Sequence, residues 1–129
     1  DGSHYVDRRI IHARTAPVSP VGGLVTLRGS LAPEGAILKR SAATPALFET
    51  EARCTVFDGL EDLANRIDDP ALDVTPGDIL ILKGAGPRSP AGMPEAGYLP
   101  IPKKLARGGV KDMVRISDCR MSGTAFGTV

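Results

Sequence analysis

The chain has 129 residues, the length of one domain, and is 42% hydrophobic with only 4% aromatic residues and no Trp. Sixteen basic residues against 15 acidic leave a formal net charge of +1, so there is no electrostatic reason to expect a nucleic-acid partner. No stretch approaches the length of a membrane span or reads as a signal peptide, so no membrane partner is expected; the two cysteines, Cys54 and Cys119, suit a reducing, cytoplasmic compartment better than a disulfide framework.

Residues 1–16 read as an arm or linker, and Gly2-Ser3-His4 looks like the scar of a tag. His4 and His12, the only histidines, both fall there, so residues 17–129 lack the commonest general acid–base side chain. Gly22-Gly23 opens a short strand over Leu24–Leu27, and a second follows over Ala36–Lys39. Ser41 to Phe48 is ambiguous, because Pro45 limits any helix. Arg53 to Phe57 is β-rich, and Cys54, alternating with apolar neighbours, is expected to be a small buried hydrophobe. Asp58 and Glu61 have the spacing of a capping box. Leu60, Leu63, Ala64 and Ile67 then recur on one helical face. Thr75-Pro76-Gly77-Asp78 signals a turn into the apolar run Ile79–Leu82, which suits a buried strand. Pro102 to Arg107 reads as a short helix with Gly108 just beyond it, and Val110 to Ile116 as the final strand. The basic residues Lys103, Lys104, Arg107, Lys111 and Arg115 form either a solvated face or a site for a small anion.

Two loops after apolar strands stand out. The first, Gly84 to Glu95, is crowded with Gly and Pro, so its path is shaped, and it ends in the carboxylate of Glu95. Such a Glu is either a solvated surface group or a ligand for a hard cation. The second, Asp118 to Thr128, sets Ser122 and Thr124 on either side of Gly123, whose missing side chain lets backbone approach a ligand. It reads either as a tight turn with self-bonded hydroxyls or as a site. Cys119, close to Ser122, is a candidate reactive thiol. On residues alone, strands outnumber short helices and the fold is a β-rich α/β domain.

Gly84-Ala85-Gly86-Pro87 with Gly92-Met93-Pro94-Glu95, followed by Val110-Lys111-Asp112-Met113-Val114-Arg115-Ile116-Ser117-Asp118 and Arg120-Met121-Ser122-Gly123-Thr124, resembles the C-terminal domain of the dihydroxy-acid and sugar-acid (aldonate) dehydratases. Leu27-Arg28-Gly29-Ser30-Leu31-Ala32-Pro33-Glu34-Gly35-Ala36 and Lys39-Arg40-Ser41-Ala42-Ala43 fit the same family, so the resemblance runs from about Pro17 to the last residue. It implies a swivelling β/β/α, barrel-like domain over residues 17–129, docked on a larger N-terminal domain of the same protein and incomplete at its C-terminus. It implies a hydro-lyase that converts a 2,3-dihydroxy acid to a 2-keto acid and is a homo-oligomer when full length. Magnesium and an iron–sulfur cluster are implied as cofactors, with the cluster's ligands supplied outside this chain. Residue by residue, Glu95 matches the family's magnesium-ligating carboxylate, Ser122 matches the serine that takes the C2 proton, and Thr124 is a candidate substrate contact. Cys119 departs from the small residue expected after the aspartate, while Asp118, Arg120 and Ser122 are intact. Met121-Ser122-Gly123-Thr124-Ala125-Phe126-Gly127-Thr128 looks closer to the sugar-acid branch than to the branched-chain biosynthetic enzymes. The isolated chain is expected to be inactive. The reading from a different class is a stand-alone swivelling β-domain that binds a partner or a small anion.

Overall fold

A computed structural model describes residues 6–90, 99–121 and 126–129. Two sheets carry the architecture. Strands β1 (Val25–Leu27) and β2 (Ala36–Leu38) form an antiparallel pair with Thr26 opposite Ile37. Between the two sheets, two 3-10 turns at Arg40–Ala42 and Pro45–Leu47 occupy the stretch whose sequence was ambiguous; Pro45 supplies the first position of the second. Strands β3 (Cys54–Asp58), β4 (Ile79–Lys83) and β5 (Arg115–Ser117) form a parallel sheet in that spatial order. Helix α1 (Gly59–Arg66) lies between β3 and β4, and α2 (Lys103–Arg107) between β4 and β5.

The barrel implied by the resemblance is not present: among the described residues the domain is mixed α/β with two open sheets. The parallel strands are joined by helix-bearing crossovers, and α1 packs against β3 and β4. Closing a barrel needs more strands, tilted and staggered until the two edges meet. Here the β1–β2 hairpin pairs only with itself, and β3 ends the larger sheet.

The core lies between α1 and the parallel sheet. Phe57, Leu80 and Leu82 are fully buried, with Leu63 and Ile67 of the helix side, Leu99 and Met113 packed into the same cluster. Leu60 joins it from the edge, whereas Ala64, expected on this face, is exposed. Asp58 sits at the helix N-cap but makes no side-chain cap. Its carboxylate faces Lys83 on the neighbouring strand at 3.2 Å, and Asp62 accepts from the Asp58 amide at 2.9 Å instead. Cys54 is exposed, not buried. The pleat of β3 sends Thr55 and Phe57 inward, so Cys54 and Val56 point out. Strand β5 is shorter than the pattern Val110 to Ile116 suggested, because the amide of Met113 bonds the carboxylate of Asp112 at 2.9 Å.

The hairpin side is poorly covered. Leu24, Leu31 and Ile37 are mostly exposed, and Val25, Leu27, Leu38, Arg40 and Phe48 line a shallow recess of about 220 Å³. That is below the usual size of a small-molecule site, and its walls are apolar apart from Arg40, so it does not suit a polyhydroxy acid.

Candidate active site at the carboxyl ends of the sheet

Both loops singled out in the sequence leave from the same end of the parallel sheet. β4 and β5 are adjacent, Leu82 lies opposite Ser117, and each loop starts just past these positions. The carboxyl ends of parallel strands are where open α/β sheets bind ligands. Glu95, Ser122 and Thr124 themselves lie outside the described residues. What is described is the stem of each loop: residues 84–90 and 99 for the first, 118–121 and 126–129 for the second.

The entry stems are tied by Asp118. Its Oδ2 accepts from the amide of Gly84 at 3.1 Å, and its Oδ1 from the amide of Ala85 at 3.0 Å. Gly84 has φ +70°, the left-handed turn that brings successive amides round to one carboxylate. Gly86 lies closer still: a Cβ there would stand 2.5 Å from the Asp118 carbonyl oxygen, a backbone atom that cannot rotate away.

The exit stems are tied by Arg115. Its side chain is 1% exposed. Nη1 donates to the carbonyl of Leu99 at 3.2 Å, and Nη2 donates to the carbonyl of Phe126. Leu99 and Phe126 are the first described residues after 91–98 and 122–125. Asp112 stands 3.6 Å from the same guanidinium, while Nε finds no acceptor among the described residues.

Asp112 in turn joins three parts of the chain. One oxygen accepts from the amides of Met113 and Thr128 at 2.9 and 2.8 Å. The other accepts from the hydroxyls of Thr44 and Thr128, both at 2.7 Å, and from the Thr44 amide at 3.2 Å. Burial pushes this carboxyl up, but the Thr128 amide, the Thr44 and Thr128 hydroxyls and the Met113 amide outweigh it, and the net shift is below the ordinary carboxylate value. The chain's end is thereby held beside β5, where the Arg115 amide also donates to the Thr128 carbonyl at 3.0 Å.

Asp112 and Arg115 escaped the sequence reading as site-shaping residues. Asp112's partners Thr44 and Thr128 are remote in sequence, and Arg115 read as part of a basic surface cluster. Three members of that cluster are engaged within the fold. Lys103 pairs with Asp68 at 2.7 Å, Lys104 donates to the carbonyls of Pro70 and Leu72, and Arg115 is buried. Cys119 is half-buried with its sulfur 3.0 Å from the Ser117 hydroxyl.

The profile described as Dihydroxy-acid/6-phosphogluconate dehydratase C-terminal matches residues 9–129. The chain belongs to this dehydratase family. Among relatives, it is 50% identical over 123 residues to the L-arabonate dehydratase of Azospirillum brasilense, covering 95% of this chain and 21% of that protein. It is 54% identical over 105 residues to the 6-deoxy-6-sulfo-D-gluconate dehydratase of Pseudomonas putida, covering 81% of this chain and 18% of that one. Against the dihydroxy-acid dehydratase of Acidothermus cellulolyticus the identity is 37% over 122 residues, covering 94% of this chain and 20% of the relative. The chain thus spans about a fifth of the length of the dehydratases it matches.

The described residues of this dehydratase domain do not fit an iron–sulfur cluster. Cys54 opens β3 and Cys119 follows the end of β5; in a parallel sheet these are opposite ends. Among the described residues no three His, Cys, Asp or Glu side chains gather as a metal site of any kind. Among them no helix is long and apolar enough to cross a membrane.

Proposed function

We propose that this chain is the C-terminal part of a hydro-lyase that takes water from a 2,3-dihydroxy acid of the sugar-acid type, such as an aldonate, and yields a 2-keto-3-deoxy acid. The observation that carries the reading is the union of the two loop stems through Asp118, at 3.0 and 3.1 Å, beneath the loops that bear Glu95 and Ser122. The sugar-acid preference is supported by identities of 50% and 54% to the arabonate and sulfogluconate enzymes against 37% to the dihydroxy-acid dehydratase.

In this reading Ser122 Oγ takes the proton from C2, the C3 hydroxyl leaves as water after gaining a proton, and the enol so formed tautomerises to the keto acid. A free serine is a weak base, so the site must hold positive charge near the alkoxide. Thr124 hydrogen-bonds the substrate. Glu95 offers one oxygen ligand to magnesium, and a bound hard cation would orient the substrate's carboxylate and 2-hydroxyl. The remaining metal ligands, and all those of the cluster, belong to an N-terminal domain, so the chain alone is inactive. The exposed apolar hairpin is compatible with such a docked domain.

The test is Ser122→Ala in the full-length enzyme. Loss of a positioned base costs about 10²–10⁴-fold, here in kcat with KM little changed. Exchange of the C2 proton with solvent deuterium should fall in parallel. Wild-type exchange in a variant that keeps its metal centres would rule out the base assignment. A higher kcat/KM for a branched-chain dihydroxy acid than for an aldonate would overturn the sugar-acid assignment.

A further inference from the structure

From two ties that flank β5, Arg115 at its first residue and Asp118 just past its last, we infer that Asp118 and Arg115 are positioning residues, which hold the described stems of the two loops together. The inference rests on the proposed function for its catalytic meaning, but the ties themselves are geometric. Asp118 joins the entries of the two loops through the amides of Gly84 and Ala85. Arg115 joins their exits through the carbonyls of Leu99 and Phe126. The described stems of both loops are therefore tied to β5 and the residue that follows it. A loop pinned only at its entry would still swing about that point; pinned at entry and exit, it has its root orientation defined.

The charges suit these tasks. A carboxylate accepts two backbone amides at once, and a guanidinium presents separate N–H groups to two carbonyls. Bonds to an ionised partner are about twice as strong as neutral ones, so the stems resist separation more than an ordinary turn would. Gly86 completes the fit, because only a residue without Cβ can lie against the Asp118 backbone. A reaction that needs a base on one loop and a ligand carboxylate on the other is sensitive to their separation: a displacement of about 1 Å can cost about 10²-fold in rate.

Arg115 is buried beside Asp112, and its loss would disturb the fold, so the test falls on the exposed Asp118. Asp118→Ala and Asp118→Asn are made in the full-length enzyme and compared by amide hydrogen exchange, thermal melting and steady-state kinetics. In Asp118→Ala, exchange in the peptide spanning Gly84 to Ser89 should rise by about tenfold or more, while peptides of α1 stay unchanged. Its kcat should fall by about 10–100-fold with KM within about threefold. Asp118→Asn keeps one acceptor and should lie between. Gly86→Ala, which leaves the carboxylate in place but drives the stems apart, should lower kcat in the same way. Unchanged exchange in Asp118→Ala would overturn the tie. Faster exchange with wild-type kcat would overturn the positioning role, as would a kcat loss matched by global loss of melting temperature. A full-length protein with no dehydratase activity would overturn the proposed function instead, and hydrogen exchange, which needs no substrate, would then decide the tie by itself.

Discussion

Replacing Asp112 with Ala is expected to destabilise the domain severely, although Asp112 lies outside the loops that carry the chemistry. The side chain is 6% exposed and faces an Arg115 side chain that is 1% exposed, at 3.6 Å. Its removal leaves a buried guanidinium without its nearby carboxylate, a change that typically costs about 3–5 kcal/mol. The hydrogen bonds lead to a similar size: the amides of Met113 and Thr128 lose their acceptor, at about 1–3 kcal/mol for each group left unsatisfied, and such costs are not additive. The Thr44 groups are exposed and can turn to water, so they add little. With an unfolding entropy of about 2.1 cal/mol/K per residue over 129 residues, a loss of that size lowers Tm by about 10–20 °C. Thermal unfolding followed by far-UV circular dichroism measures it. Asp112→Asn should fall by roughly half as much, because an amide oxygen can still accept from Met113 and Thr128 while the charge opposite Arg115 is lost. A Tm within about 3 °C of wild type for Asp112→Ala would refute the view that this carboxylate holds the chain's end to β5.

Gly127→Ala should also destabilise, by at least about 1–3 kcal/mol from its φ of +97° alone, and a Cβ there would meet the Asp112 carboxylate at 2.2 Å; a chemical-denaturation midpoint equal to wild type would contradict this. Acid should weaken the fold through Asp78, whose carboxyl the Arg53 guanidinium and the Thr75 amide and hydroxyl hold down at about 2 against burial. A lowered folded-state pKa gives stability that is complete above the ordinary value of 3.8 and is lost as pH falls toward about 2, so Arg53→Met should move the acid-unfolding midpoint to higher pH. If the variant and wild type share one acid midpoint, the pair is not what resists acid. Cys54→Ser should change stability by less than about 0.5 kcal/mol, and Cys54 should react quickly with a thiol reagent in the native state; slow labelling would mean that β3 is turned the other way.

Much of the local structure follows from short-range pattern. The spacing of Leu60, Leu63 and Ile67 makes a helix because these side chains fall on one face, and that face is the one buried. The run Ile79–Leu82 makes a central strand because its neighbours on both sides and the helix above all need apolar partners. The two loops were visible as dense Gly, Pro and hydroxyl residues after such strands, and the family was legible in their ordered motifs, which the profile match over residues 9–129 bears out. Tertiary structure decided what periodicity leaves open. Cys54-Thr55-Val56-Phe57 alternates, but either set includes an apolar residue, so only packing against α1 selected Thr55 and Phe57 for the inside. The expected barrel failed for a related reason: closure depends on how many strands meet and at what tilt, a property of the assembled sheet and of no single strand. Arg115 read as one of a basic cluster and Asp112 only as part of a motif, because a charged residue's burial depends on its partners, and here those are carbonyls, amides and hydroxyls brought in from Thr44, Leu99, Phe126 and Thr128. Contacts between positions that far apart in the chain exist only once the sheet has formed, which is why the ties beneath the two loops could be seen only in the folded domain.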